Sequence, residues 1–140
     1  MKGFFKPVNP QKYDGNHTKI VWRSQWELKY MMQLDHDPNV LKWSSEEVRI
    51  PYHSRADNRL HTYFPDFLVH YLDGRTVLYE IKPLKETTPP KPNKNRKRFI
   101  KEALTYTKNI CKWESAKRWC ESRQYTFKLL TERELNIPGY

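Results

Sequence analysis

The strongest constraint on the fold of this chain is a predicted β-hairpin near its middle. Two β-prone apolar segments, at about residues 63–72 and 75–82, flank the dipeptide Asp73-Gly74. Asp-Gly between two such segments is a strong signal for a tight turn that joins antiparallel strands. The chain therefore needs a sheet with at least one antiparallel pair, and other elements must cover that sheet.

Patterns before and after the hairpin predict further secondary structure. A first helix is expected from Ser24 to Leu34, with Ser24 as its N-cap and aromatic residues at i, i+4 spacing along one face. Alternating apolar residues at 48–52 predict a strand. A second helix is expected to begin near Asn95, because apolar residues then recur at three- or four-residue steps.

The last part of the chain leaves one alternative open. A segment at about 113–122 either continues the second helix or restarts after Asn109. A strand at about 125–130 and a short helix from Thr131 complete the order α-β-β-β-α-β-α. This order predicts an α/β protein of the α+β kind, with a mixed sheet flanked by helices.

Two segments are rich in residues that oppose regular structure. The first, at about residues 1–19, is rich in Lys, Pro, Asn and Gly, so we expect an irregular arm. The second, at about residues 83–95, is basic and holds four prolines, so we expect a loop. The whole chain, residues 1–140, is expected to form a single domain.

The net charge of +10 is the first indication of function. An excess this large suits a polyanionic partner, although charge alone does not distinguish DNA, RNA or an anionic membrane. No apolar run approaches the length of a membrane span and the first residues lack signal-peptide features, so we expect a soluble intracellular protein. The two cysteines lack metal-site spacing and are expected to be small buried hydrophobic residues.

The residues suited to chemistry lie on the two strands of the predicted hairpin. Asp66 follows a proline on the first strand, and Glu80 and Lys82 form a Glu-x-Lys motif on the second. A hard divalent cation such as Mg²⁺, or Mn²⁺ in its place, prefers oxygen ligands, which Asp66, Glu80 and the backbone carbonyl of Ile81 could supply. Glu80 and Lys82 share a strand face, so Lys82 would lie beside the metal and orient or deprotonate the attacking water.

This assignment depends on whether the hairpin loop has an odd or even number of residues. A two-residue turn with regular pairing would place Ile81 opposite Asp66, and the carboxylates of Asp66 and Glu80 would face opposite sides of the sheet. A shared site therefore predicts a three-residue loop, Leu72-Asp73-Gly74 with its glycine at positive φ, or an irregularity next to Asp66.

Each acidic candidate also has an ordinary structural interpretation. Asp66 and Glu80 could be solvent-facing strand charges with Lys82 as their partner. Glu27, in the first helix, could reach the same metal and position water. It could also close a capping box in which its side chain accepts a hydrogen bond from the backbone amide of Ser24.

A basic stretch leaves the proposed metal site directly after Lys82. Lysine and arginine dominate it as far as residue 101, and Glu86 is its only acidic residue. Such a segment could bind phosphates next to the scissile bond, with an affinity that depends on salt and not on DNA sequence. A solvated helix start is the alternative, although cations oppose the dipole at a helix N-terminus. The residues predicted to bind DNA are Lys85, Lys91, Lys94, Arg96, Lys97, Arg98 and Lys101.

Short motifs along nearly the whole chain form a combination that is more specific than any one of them. They include Arg23-Ser24-Gln25-Trp26-Glu27, Tyr63-Phe64-Pro65-Asp66-Phe67, Glu80-Ile81-Lys82-Pro83 and Lys85-Glu86-Thr87. Together they resemble the head-completion endonucleases of T-even-like tailed bacteriophages. That family is in turn similar to transposon end-cleaving endonucleases with a PD-(D/E)xK core.

The resemblance implies a fold, a site and a role. It implies a PD-(D/E)xK restriction-endonuclease-like fold, with Glu27 as the helix-borne acidic residue and Asp66, Glu80 and Lys82 as the metal-binding and catalytic set. It further implies a Mg²⁺-dependent endonuclease that hydrolyses double-stranded DNA late in head completion, after packaging and near portal or neck proteins. The protein would then act in the host cytoplasm during assembly or at the virion head–neck.

A second function stays open on the sequence alone. A non-catalytic DNA-binding structural protein of the head–neck would use the same basic surface to hold DNA or to bridge portal and tail. Convergence of the four side chains around one ion would favour the nuclease, although a decayed site could keep its shape. An RNA-binding module is less well supported, because no RNP-type aromatic motif is present. The sequence reveals no oligomeric state.

Overall fold

The computed structural model describes residues 1–135, which form eight strands and two α-helices. The strands are β1 (Gly3–Phe4), β2 (Val21–Trp22), β3 (Val40–Ser45), β4 (Ile50–Ser54), β5 (Arg59–Tyr63), β6 (Phe67–Tyr71), β7 (Thr76–Ile81) and β8 (Thr126–Leu130). The helices are α1 (Gln25–His36) and α2 (Arg96–Glu121), and short 3₁₀ turns span Pro10–Lys12 and Leu84–Thr87.

A four-stranded mixed sheet in the order β3-β6-β7-β8 lies at the centre of the fold. β3, β6 and β7 pair antiparallel, whereas β8 pairs parallel to β7. Because parallel neighbours need a crossover connection, α2 carries the chain back to the end of the sheet where β7 begins. The predicted α+β class with a mixed sheet and flanking helices is therefore confirmed.

The predicted hairpin is β6–β7, and its tip has three residues. The backbone amide of Tyr71 donates to the carbonyl of Arg75 at 2.8 Å, so residues 72–74 form the loop. Gly74 has a φ of +94°, in the left-handed region that favours glycine. The odd loop that a shared carboxylate site requires is therefore present.

The two helices cover opposite faces of the sheet. On one face, Met31 of α1 belongs to the same buried cluster as Phe67 of β6. On the other face, Ala116 of α2 and the separate β4–β5 hairpin share a second cluster with Leu78 of β7. Because side chains alternate along a strand, odd-numbered residues of β6 and β7 face α1 and even-numbered ones face α2.

α2 is one continuous helix of 26 residues, which settles the alternative that the sequence left open. The side chain of Asn95 caps it by accepting from the amide of Arg98 at 3.1 Å. Its buried residues all lie at or beyond Asn109, so residues 96–108 are less covered by the rest of the protein. Neither helix has the length and apolar character needed to cross a membrane. The cysteines, both on α2, are free and buried, as predicted.

Several predicted elements need correction. β3 was not predicted, because a register shift between Val40 and Lys42 interrupts the alternation of buried and exposed residues. The expected strand at 63–72 begins only at Phe67, as β6, after a break that contains Pro65. Tyr63 instead ends β5, which was not predicted. Proline has no amide hydrogen to donate to a ladder, so it separates the two strands.

The expected helix from Thr131 is only a single turn within the described residues. The amide of Leu135 donates to the carbonyl of Thr131 at 3.1 Å, and no helix forms up to residue 135. The remainder of that prediction lies outside the described residues. The expected loop at 83–95 is irregular apart from its 3₁₀ turn.

The segment predicted as an irregular N-terminal arm is fixed to α1. The carboxylate of Asp35, only 1% exposed, accepts from the amides of Val8 at 2.7 Å and Asn9 at 3.0 Å. The Nζ of Lys12 donates to the carbonyl of Asp35 at 3.0 Å. Residues 1–19 also contain β1 and a 3₁₀ turn. The segment is therefore partly regular, and its hydrogen bonds to the buried Asp35 hold it against α1.

Candidate active site

Asp66 and Glu80 face each other at the open end of the β6–β7 hairpin. The strand register pairs Phe67 with Tyr79, and one further step places Asp66 opposite Glu80. Opposite residues of an antiparallel pair point to the same face of the sheet. The amide of Ile81 donates to Oδ2 of Asp66 at 2.7 Å and fixes this carboxyl group. The structure thus brings the two predicted carboxylates together.

Burial and mutual repulsion oppose ionisation of these two carboxyl groups. Burial raises the pKa of Asp66 well above its ordinary value, and the charge of Glu80 raises it further, whereas the Ile81 amide and Lys82 lower it. Burial also raises the pKa of Glu80, which is 6% exposed, against the opposing charge of Lys82. Two desolvated carboxyl groups in contact favour sharing a proton or binding a cation.

Glu27 and Glu46 extend the acidic group beyond Asp66. One carboxylate oxygen from each of Glu27, Glu46 and Asp66 lies within 4.8 Å of the others. The three side chains come from α1, from the end of β3 and from the start of β6, so the tertiary fold assembles the cluster. Oxygen atoms at this separation are suited to a hard divalent cation.

Glu27 lies at the cap of α1 and in the acidic cluster, although its side chain contacts the hydroxyl of Ser24 and not, as a capping box predicts, the backbone amide. Ser24 caps α1 by accepting from the amide of Glu27 at 3.1 Å, and its hydroxyl donates to Oε2 of Glu27 at 3.3 Å. Burial raises the pKa of Glu27 to about 7, with further increases from the charges of Asp66 and Glu46. Its carboxyl group therefore belongs to the acidic cluster while it also contacts the helix cap.

Glu46 was not predicted as a site residue. It follows β3 at a φ of +56°, and its amide donates to the carbonyl of Asp66 at 3.1 Å. Nε of Arg23 lies 3.1 Å from Oε1 of Glu46 and partly offsets its charge. The dipeptide Glu46-Glu47 was visible in the sequence, but nothing there distinguished the inward residue from its exposed neighbour.

Lys82 lies beside the acidic group and borders a cleft. It follows the last residue of β7, and its amide donates to the carbonyl of Leu130 at 2.9 Å. The cleft is half open, has a volume of about 400 Å³, and runs between the end of β7 and the first turn of α1. It is lined by Ser24, Gln25, Trp26, Ile81, Lys82 and Pro83. Lys82 connects the cleft to the site, because its charge also acts on Asp66 and Glu80.

The residues predicted to bind DNA occupy the segment from the 3₁₀ turn to the first turns of α2. Lys85 lies in the turn, which Glu132 attaches to the end of β8 by accepting from the amide of Leu84 at 2.7 Å. Six others are exposed, and Arg98 pairs with Glu102 at 2.9 Å. These six are Lys91, Lys94, Arg96, Lys97, Arg98 and Lys101. Their role in binding DNA stays a prediction.

The fold and the hairpin site define a class of protein that sequence comparison identifies. Residues 37–132 match the TnsA-like endonuclease N-terminal family, and the chain belongs to this family of endonucleases with the PD-(D/E)xK fold. Glu27 lies before the matched range, on α1. The chain is also 38% identical over 143 aligned residues to the head completion nuclease of Enterobacteria phage T4. The alignment covers 99% of this chain and 95% of that protein.

Proposed function

We propose that the protein is a metal-dependent endonuclease that hydrolyses phosphodiester bonds of double-stranded DNA during phage head completion. The observation that carries the proposal is the position of Asp66, which lies opposite Glu80 on the hairpin and within 4.8 Å of a carboxylate oxygen of Glu27. Lys82 follows two residues after Glu80 and borders an open cleft. The endonuclease family and the name of the phage T4 relative support it. We place the activity after DNA packaging, where packaged DNA meets portal or neck proteins.

The donor set fits a hard divalent cation. Burial and neighbouring carboxylates raise the pKa values of Glu27 and Asp66, so a bound cation would stabilise their ionised forms. An oxygen of Glu46 lies within 4.8 Å of both groups and is available as a further ligand. We assign Asp66, Glu80 and the carbonyl of Ile81 as the principal ligands of Mg²⁺, with Mn²⁺ as a substitute. The ion would lower the pKa of a water molecule and offset negative charge on the scissile phosphate.

The side chains around the carboxylates have distinct tasks in this proposal. Lys82 favours the ionised forms of Asp66 and Glu80 through its positive charge, and it is placed to orient the attacking water. Glu27 approaches from α1 and positions that water from the opposite side. The exposed basic residues from Lys91 onward would hold the phosphates that flank the scissile bond.

A cleavage assay tests the proposal. Supercoiled and linear duplex DNA are incubated with Mg²⁺ or Mn²⁺ and either the wild type, Glu80→Gln or Lys82→Ala. We expect metal-dependent cutting by the wild type and a loss of about 10²-fold or more in each variant, with folding and DNA binding retained. If the wild type binds DNA but cuts nothing with either metal, or if the variants cut equally well, the structural head–neck role should replace the nuclease.

Metal titration tests the cluster separately from catalysis. Glu46→Gln is compared with Glu47→Gln, which changes the exposed neighbouring residue and is the matched control. Calorimetric titration with Mn²⁺ should show binding weakened by about tenfold or more in Glu46→Gln and unchanged in Glu47→Gln. Equal affinity in both variants would remove Glu46 from the site.

A further inference from the structure

α2 presents a lysine to the acidic centre that the proposed chemistry does not use. Lys112 is half-buried between the buried residues Cys111 and Trp113. Its Nζ lies 5.5 Å from the centroid of the Tyr63 ring, a distance at which a cation is attracted to an aromatic face. Lys112 therefore approaches from the helix that covers the sheet face on which Glu80 lies.

The charges around Lys112 connect it to the catalytic carboxylates. Burial lowers the pKa of Lys112, and the positive charges of Lys108 and Lys82 lower it further, whereas Glu80 and Asp66 raise it. Within residues 1–135, no carboxylate forms an ion pair with Lys112. Glu80 and Asp66 only partly offset the burial of this ammonium group, so a further anion that reaches it would stabilise its charge.

Lys112 is also the last residue of a row of lysines along α2. At about 100° per residue, the four lysines of this row fall within about 60° of one another and span about 22 Å. The row consists of Lys97, Lys101, Lys108 and Lys112, of which the first three are exposed. Over that length, one strand of B-DNA carries about six phosphates. The row therefore matches a run of phosphates that ends at the acidic centre.

We propose that Lys112 binds a non-bridging oxygen of the scissile phosphodiester, and that the lysine row on α2 guides one DNA strand to this position. The inference rests on the proposed nuclease function. Lys82 follows β7 and Lys112 lies on α2, so the two lysines would contact the phosphate from different sides. Because negative charge on the phosphate oxygens grows during hydrolysis, this contact supports turnover as well as binding.

Cleavage kinetics separate the phosphate contact from a purely structural role. Lys112→Gln should lower kcat for a duplex substrate by about 10- to 100-fold while the urea midpoint of unfolding stays near that of the wild type. Lys112→Arg, which keeps the charge, should retain most of the activity. Lys117→Gln changes an exposed α2 lysine at about 140° from Lys112 around the helix and should have no effect. Wild-type kcat in Lys112→Gln would overturn the proposal.

DNA binding in the absence of cleavage gives an independent readout. In chelator, the slope of log K against log salt for a short duplex should decrease by about 0.9 in Lys112→Gln and in Lys108→Gln, and not in Lys117→Gln. An unchanged slope in both Lys108→Gln and Lys112→Gln would contradict the proposal even if the wild type proves to be a nuclease. If the wild type does not cut but the slopes change as expected, the proposed nuclease function fails and the phosphate contact stands. If Lys112→Gln does not fold, the slope of Lys108→Gln decides.

Discussion

At the scale of single residues, the negative charges of the acidic cluster lower the stability of the folded protein. Glu27, Glu46 and Asp66 come from three elements and lie within 4.8 Å of one another. Burial and repulsion raise the pKa of Glu27 and of Asp66, so ionising either carboxyl group in the folded protein is unfavourable. Carboxyl groups that destabilise the folded state in this way are typical of functional sites, where residues are kept for activity at a cost in stability.

We predict that Glu27→Gln stabilises the metal-free protein at pH 8. The pKa of Glu27 is about 7 in the folded state against an ordinary value of 4.5, so above pH 7 the folded protein carries an unfavourable charge. This difference corresponds to about 3 kcal/mol in the free energy of unfolding. The gain should shrink as the pH falls through 7 and disappear below about 4.5, where the carboxyl group is protonated in both states.

Urea unfolding in chelator at a series of pH values measures this effect. Glu86→Gln, which changes an exposed carboxylate in the 3₁₀ turn, is the matched control. Equal stabilisation by both substitutions at pH 8 would show that overall charge, and not the environment of Glu27, is responsible. A gain that does not depend on pH would contradict the raised pKa.

The sequence indicated those site residues whose spacing is local. Asp66 and Glu80 belong to one hairpin, so its loop length alone decides whether they share a face. Glu46 and Lys112 are brought to the site by tertiary contacts, which the sequence does not reveal. Glu46 follows a strand with an irregular register, and Lys112 is one of five lysines on α2. Periodicity reveals a face of a helix but not what that face meets.

At the scale of elements, the β6–β7 loop depends on a residue with positive φ. We predict that Gly74→Ala lowers the free energy of unfolding by about 1 kcal/mol, because a Cβ makes this conformation unfavourable. A Cβ at this position would have no other atom within 4 Å, so backbone strain alone is responsible. Urea unfolding measures the change, and Gly74→Asn should cost less. Wild-type stability in Gly74→Ala would show that the loop relaxes to another conformation.

The two halves of α2 should differ in their protection from hydrogen exchange. Buried residues begin at Asn109, so amides of residues 99–108 should exchange faster than those of residues 111–121 in the free protein. Mass spectrometry after a timed exchange gives this comparison directly. Adding duplex DNA should slow exchange in the first half if the lysine row binds phosphates. Uniform protection along α2 without DNA would contradict the prediction.

The predicted elements succeeded where their signals were local. Ser24 and Asn95 both cap the helices that they were expected to start, because a cap depends on only a few neighbouring residues. β3 joins the sheet through β6, which lies well beyond it in the chain, and its register shift disturbs the two-residue period. The break at Pro65 likewise follows from the absence of an amide donor, which apolar pattern alone does not reveal.

At the scale of the whole molecule, the net charge of +10 should make DNA binding strongly salt-dependent. We predict that the double substitution Lys91→Gln, Lys94→Gln lowers the slope of log K against log salt by about two, because each lysine neutralises about one phosphate. The control double substitution Lys2→Gln, Lys117→Gln removes the same charge at exposed positions outside the basic stretch. Equal slopes for the two double variants would mean that charge acts only collectively.

The three-residue tip of the β6–β7 hairpin also limits how the gene can change. Its residues, 72–74, are exposed, so their identity is weakly constrained apart from the glycine. Gaining or losing one residue there would exchange the two faces of β7, sending Tyr79 out of the core and Glu80 away from Asp66. Over evolutionary time this loop can therefore grow or shrink only in steps of two, or in company with a compensating bulge.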